Sequence, residues 1–119
     1  GPTEALYAAL DAALATADPQ ALALAISLSR PRPIRRTRAK AADAISALAP
    51  QDPDAALQAL LPLADDREAR VRGNAQRALA KFNVPAARAR LEEVLSTRRA
   101  SPEIRTLTSL IESMSLPTP

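Results

Sequence analysis

A chain of 119 residues with 16 Lys and Arg against 13 Asp and Glu is one small domain, near the size where a single core only just suffices. Its hydrophobic fraction of 47% rests on Ala and Leu, with Tyr7 and Phe82 its two aromatics. The sequence has no His, no Cys and only 2 Gly, which excludes imidazole and thiolate catalysis, His/Cys zinc sites, disulfide scaffolds and glycine-rich phosphate loops.

Gly1-Pro2 without an initiating Met reads as the remnant of a cleaved expression tag. Residues 3–116 are then expected to form a single domain, cut from a larger protein, with 117–119 as a tail. Helix signals follow in order. Thr3 is expected to cap a first helix with Leu6, Leu10 and Leu14 on one face, and Asp18-Pro19 to cap a second carrying Leu22, Ala25 and Ile26. The prolines of "RPRP" must end that helix, and a third spans about 34–49 with Ala41, Ala44, Ile45 and Leu48 inward. Asp52-Pro53 opens a fourth, bearing Leu57, Leu60 and Leu61, with Pro62 near its end. Residues 67–82 form a fifth, burying Val71, Ala75, Ala78, Leu79 and Phe82. A sixth begins near Pro85 with Leu91, Val94 and Leu95, and a seventh after Ser101-Pro102 with Leu107, Leu110, Ile111 and Met114. Few windows alternate in β-branched residues, so the fold class is all-α.

These helices repeat. A shift of 34 residues superposes Asp18-Pro19 on Asp52-Pro53, Arg36 on Arg70, Arg38 on Arg72, Ala41 on Ala75, Ile45 on Leu79 and Leu48 on Phe82. A looser third copy aligns its first helix at 34 and its second at 32. The units are about 18–49, 53–82 and 85–114. Period alone leaves several helical-repeat families open, but tetratricopeptide units need fixed aromatics that are absent.

The stretch "LLPLADDREARVRGNAQRALAKF" (60–82), with Asp65 or Asp66, Val71, Arg72, Ala75, Ala78 and Leu79, resembles the HEAT-repeat pattern, most closely the compact bacterial HEAT-like repeats of the phycobilisome-lyase type. That resemblance implies a short right-handed α-solenoid of about seven antiparallel helices: three helical hairpins plus a leading helix that caps the stack. It also implies that the second helix of each hairpin lines the concave face. In such units the Arg after Val pairs with the acid of the inter-helix turn, which gives Arg72 a structural role opposite Asp65 or Asp66. Arg38 has no acid in its own turn and must borrow one from the next unit or stay free.

Charge comes in blocks. Residues 1–29 hold three acids and no base, residues 30–40 six bases and no acid, residues 41–66 five acids, and residues 67–90 seven bases against Glu68. Crowded like charges repel unless an anion faces them, so the expected partner-binding residues are Arg30, Arg32, Arg35, Arg36, Arg38, Arg70, Asn74, Arg77 and Lys81. Arg70, Asn74, Arg77 and Lys81 fall at i, i+4, i+7 and i+11, one helical stripe. The carboxylate pairs Asp52/Asp54, Asp65/Asp66 and Glu92/Glu93 read as cap and turn chemistry, so neither an enzymatic activity nor a metal or other cofactor is expected. The expected function is a non-catalytic scaffold or adaptor that binds an acidic protein segment, or an acidic domain of its own chain. The alternative is sequence-independent contact with nucleic-acid phosphates. No apolar run approaches eighteen residues, so no membrane partner is expected and the cytoplasm is the expected compartment.

Overall fold

The computed structural model describes residues 2–30 and 35–114, and of Pro2, Thr3, Arg35 and Arg36 the backbone alone. Among these residues there are seven α-helices and no strand: α1 (Pro2–Ala15), α2 (Ala21–Ser29), α3 (Arg35–Leu48), α4 (Pro53–Leu63), α5 (Ala69–Phe82), α6 (Pro85–Thr97) and α7 (Ser101–Ser113). One 3₁₀ turn, Ala49–Gln51, joins α3 to α4. No helix among them is long and apolar enough to cross a membrane.

Local chemistry sets the helix ends. Asp52 caps α4 by accepting from the Ala55 backbone N–H at 3.2 Å, with Pro53 in the first turn, where its missing N–H has no helical partner to lose. Pro85 and Pro102 open α6 and α7 on the same principle. Asn83 takes the left-handed conformation (φ 51°) that ends α5. Two starts differ from expectation. Thr3 lies inside α1, and Asp18-Pro19 precedes rather than begins α2. Asp18 closes a turn instead: its Oδ1 accepts from Gln20 N at 2.8 Å and its carbonyl from Ala21 N at 2.9 Å. Before it, Ala17 (φ 53°) completes a Schellman end to α1, with Asp18 N on Ala13 O at 3.1 Å and Ala17 N on Leu14 O at 3.3 Å. One first-turn amide of α2 is met from elsewhere: Gln51 Oε1 accepts from Leu22 N at 3.4 Å, while Gln51 Nε2 donates to Asp18 O at 3.1 Å.

The core is a continuous Ala/Leu/Ile/Val interior: Leu10, Leu22, Ala25, Ala41, Ile45, Leu60, Val71, Ala75, Leu79, Leu91, Val94 and Leu107 are all buried. Alanine at the crossings lets helix backbones approach closely, which compensates for the scarcity of bulky anchors. Each helix packs on its neighbours in sequence and on the helix after next. Thus α1, α3, α5 and α7 touch in series, α2, α4 and α6 touch in series, and consecutive helices join the two rows. The result is flattened, 42 × 30 × 17 Å. Its radius of gyration of 14.4 Å exceeds the roughly 13.5 Å of a compact chain of this length.

Candidate functional site

The arginines divide into two populations. Arg38, from α3, is only 2% exposed. Its Nε and Nη2 donate to Asp66 Oδ2 and Oδ1, both at 3.2 Å, a two-pronged pair with the turn between α4 and α5. Asp66 Oδ1 also accepts from Glu68 N at 2.9 Å. Burial pushes the Asp66 carboxyl up, but the bonds from Arg38 and the Glu68 amide, with the charges of Arg38 and Arg67, outweigh it and hold the group below its ordinary value. Arg38 is thus removed from the expected partner-binding set. A guanidinium taken out of water needs a matched carboxylate at once, and Asp66 supplies it from within the chain.

Arg72 makes the equivalent reach one unit on, to an acid other than the one expected. Its Nε and Nη2 donate to Glu103 Oε1 and Oε2 at 3.0 and 3.3 Å, in the first turn of α7. Of its own turn it engages only carbonyls, Asp66 O at 3.0 Å and Arg67 O at 3.1 Å. Burial raises Glu103, while hydrogen bonds from Arg72 and Gln76 and the charges of Arg72 and Arg98 lower it further, leaving it below its ordinary value. Asp65 pairs with Arg98 instead. Arg90 Nε likewise donates to Leu61 O, at 2.8 Å, meeting a carbonyl at the C-terminal end of α4.

The second population faces outward from α5. Arg70, Arg77 and Lys81 are exposed and Asn74 is half-buried, so the stripe expected from periodicity lies open on the row formed by α1, α3, α5 and α7. Running eleven steps from Arg70 to Lys81, it is about 16 Å long. Among the described residues Arg70 and Lys81 make no hydrogen bond or ion pair, and neither does the exposed Arg105 on α7. Asn74 is held from α3, its Nδ2 donating to Ala39 O at 3.0 Å. Its Oδ1 in turn accepts from Arg77 Nη2 at 2.7 Å.

Three shallow hollows border this stripe. Arg70 and Asn74 share one of about 280 Å³ with Tyr7, Ala39, Lys40 and Asp43. Arg77 shares one of about 360 Å³ with Arg105, Thr106, Ser109, Leu110 and Ser113 of α7. Lys81 shares one of about 220 Å³ with Ser46, Ala49, Pro50, Ala78 and Phe82. In the first, Lys40 is committed to Asp11 (2.8 Å) and lies 5.2 Å from the Tyr7 ring centre, whereas Asp43 is exposed and unpaired among the described residues.

The nine expected residues therefore do not form one surface. Arg70, Asn74, Arg77 and Lys81 are together. Arg30 is exposed on the other row, beside a groove between α2 and α4 lined by Ile26, Ala55, Ala59, Pro62 and Leu63. Arg32 lies outside the described residues, as do the side chains of Arg35 and Arg36. Sequence reasoning missed Glu103, although an acid in the first turn of the second helix after that of Arg72 was a usable signal. It also missed Lys40, Tyr7 and Asp43 as the far wall of the first hollow, because nothing local relates α1 to α5. Among the described residues no group of three or more Asp or Glu is gathered to hold a metal ion.

What fold and site define is an all-helical domain of seven helices, packed on sequential neighbours, with a cationic stripe exposed on α5 among the described residues. Compared with known proteins, the chain matches no family model, no curated protein and no solved structure.

Proposed function

We propose that this domain is a non-catalytic interaction scaffold: a short right-handed α-solenoid of HEAT-like hairpins that captures an acidic protein segment, or an acidic domain of its own chain, on the α5 face. The observation that carries the reading is the division of the arginines. Arg38 and Arg72 are matched inside the molecule, whereas Arg70, Arg77, Lys81 and Arg105 stand exposed with no carboxylate partner among the described residues. A row of uncompensated cations is stabilised by an anionic partner, and the planar guanidinium suits carboxylates well. The two series of packed helices and the 34-residue period support the solenoid.

Nucleic acid is the second reading, since the same cations suit phosphates. It is disfavoured by two exposed acids, Asp43 in the hollow with Arg70 and Glu112 about two turns beyond Arg105 on α7. A phosphate backbone is uniformly negative and meets both unfavourably, whereas a polypeptide can place a base or an amide there. The test is a titration of fluorescent oligoglutamate against duplex DNA at low salt. The scaffold reading expects tighter binding of oligoglutamate, weakened about tenfold or more in Arg70→Glu with Lys81→Glu, with the helical circular dichroism unchanged. Tighter binding of DNA with a steep salt slope would transfer the face to nucleic acid.

A further inference from the structure

The cationic face has a point prepared in advance of any partner. Gly73 is the single glycine inside a described helix, at a position where alanine is the better helix former. A Cβ placed on it would meet the Arg77 guanidinium, with Nη1 at 3.2 Å and Cζ at 3.8 Å. The Arg77 side chain therefore lies back over Gly73, along its own helix, in space that any other residue would narrow. There Asn74 Oδ1 takes its Nη2 at 2.7 Å, and Asn74 is itself fixed to the backbone of α3 through Ala39 O. One side of the guanidinium is thus anchored, while the residue remains exposed and borders the hollow shared with Arg105 and Ser109.

We infer that the hollow between α5 and α7 is the anchor point of the interaction face. It receives one carboxylate side chain of an acidic peptide between Arg77 and Arg105, and Gly73 and Asn74 act as positioning residues for Arg77. This rests on the scaffold reading and deepens it. A long arginine side chain normally loses rotamer freedom when it binds, and a guanidinium already held by Asn74 loses less, so Arg77 contributes more affinity than the free Arg70 or Lys81. Ser109 has no hydrogen bond among the described residues, so its hydroxyl is available to the same carboxylate. The methyl groups of Leu110 give the hollow an apolar wall that fits the methylene stem of a glutamate better than a phosphodiester.

The experiment measures affinity for oligoglutamate and thermal stability on the same set of variants of the whole chain. Arg77→Ala and Arg105→Ala are expected to lose about tenfold or more in affinity, and Lys81→Ala less. Gly73→Ala is the discriminating variant. It should raise Tm, as the better helix former, yet weaken oligoglutamate binding severalfold; a glycine with no part in binding would leave the affinity unchanged. Asn74→Ala should weaken binding in the same direction. If the parent chain binds oligoglutamate and loses it in the Arg70→Glu, Lys81→Glu variant but not in Arg77→Ala, Arg105→Ala or Gly73→Ala, the anchor is wrong and the scaffold reading stands. If the parent chain binds no oligoglutamate, both are overturned.

Discussion

At the scale of single residues, the Arg38–Asp66 pair carries a large penalty for disruption. Asp66→Ala takes the matched carboxylate from a guanidinium that is 2% exposed, and removing one partner of such a pair costs about 3–5 kcal/mol, measurable by urea denaturation. Adding Arg38→Met to that variant should recover part of the loss, because no charge is then left without its partner. Acid should act through the same groups. Asp66 and Glu103 titrate below their ordinary values of 3.8 and 4.5, so each binds its proton more readily in the unfolded chain. Their contribution is complete above those ordinary values and is lost as pH falls through the lower folded ones. Thermal melts should accordingly hold steady near neutrality and fall below about pH 4.5, with a shallower fall in Asp66→Ala. The pairing of Arg38 with the next unit was one of two readings open in the sequence. The burial of the pair was not legible there, since it depends on where the α4–α5 turn comes to rest.

Helices are the scale at which sequence and structure agree most closely. The apolar positions at 3.6-residue spacing in α3 and α5, from Ala41 to Leu48 and from Val71 to Leu79, are found inside, while Phe82, expected with them, is half-buried. Leu79→Ala, in the fully buried centre of α5, should cost about 2–5 kcal/mol in chemical denaturation. Helix ends were less legible where their groups are met from a distance. Asp18-Pro19 looks the same as Asp52-Pro53 in sequence, yet one makes a turn and the other a cap, because Gln51 already meets the first-turn amide of Leu22. At the end of α1, Ala17 occupies a left-handed position that glycine accepts without steric cost. Ala17→Gly should therefore raise stability by a few tenths to about 1 kcal/mol, readable as a higher Tm.

Across the whole molecule, stability follows position in the stack. Helices α3, α4 and α5 each pack against several others, whereas α1 reaches only α2 and α3 in strength and, among its described side chains, buries Leu10 alone. Amide hydrogen exchange should therefore be slowest in α4 and α5 and fastest in α1, opening from that end before the rest unfolds. Side chains that cross between units reinforce the centre: Asn74 to α3, Arg90 to α4 and Arg72 to α7. Uniform protection across all seven helices would contradict this gradient and mark the chain as one cooperative block.

The sequence by itself determined the helical class, most of the apolar face of the helices (Leu110, which lines the α5–α7 hollow, is an exception) and the stripe from Arg70 to Lys81, because all three follow from a 3.6-residue period that needs no knowledge of neighbours. Only the tertiary structure decided which arginines face solvent. Arg38 and Arg72 hold equivalent places in their units, yet they meet an acid 28 and 31 residues further on, since Asp66 lies in the turn before α5 whereas Glu103 lies in the first turn of α7 itself. Charge counted along the chain merges matched and unmatched cations into one basic block. Packing separates them, because burying a guanidinium is tolerable only where a second helix brings a carboxylate to it.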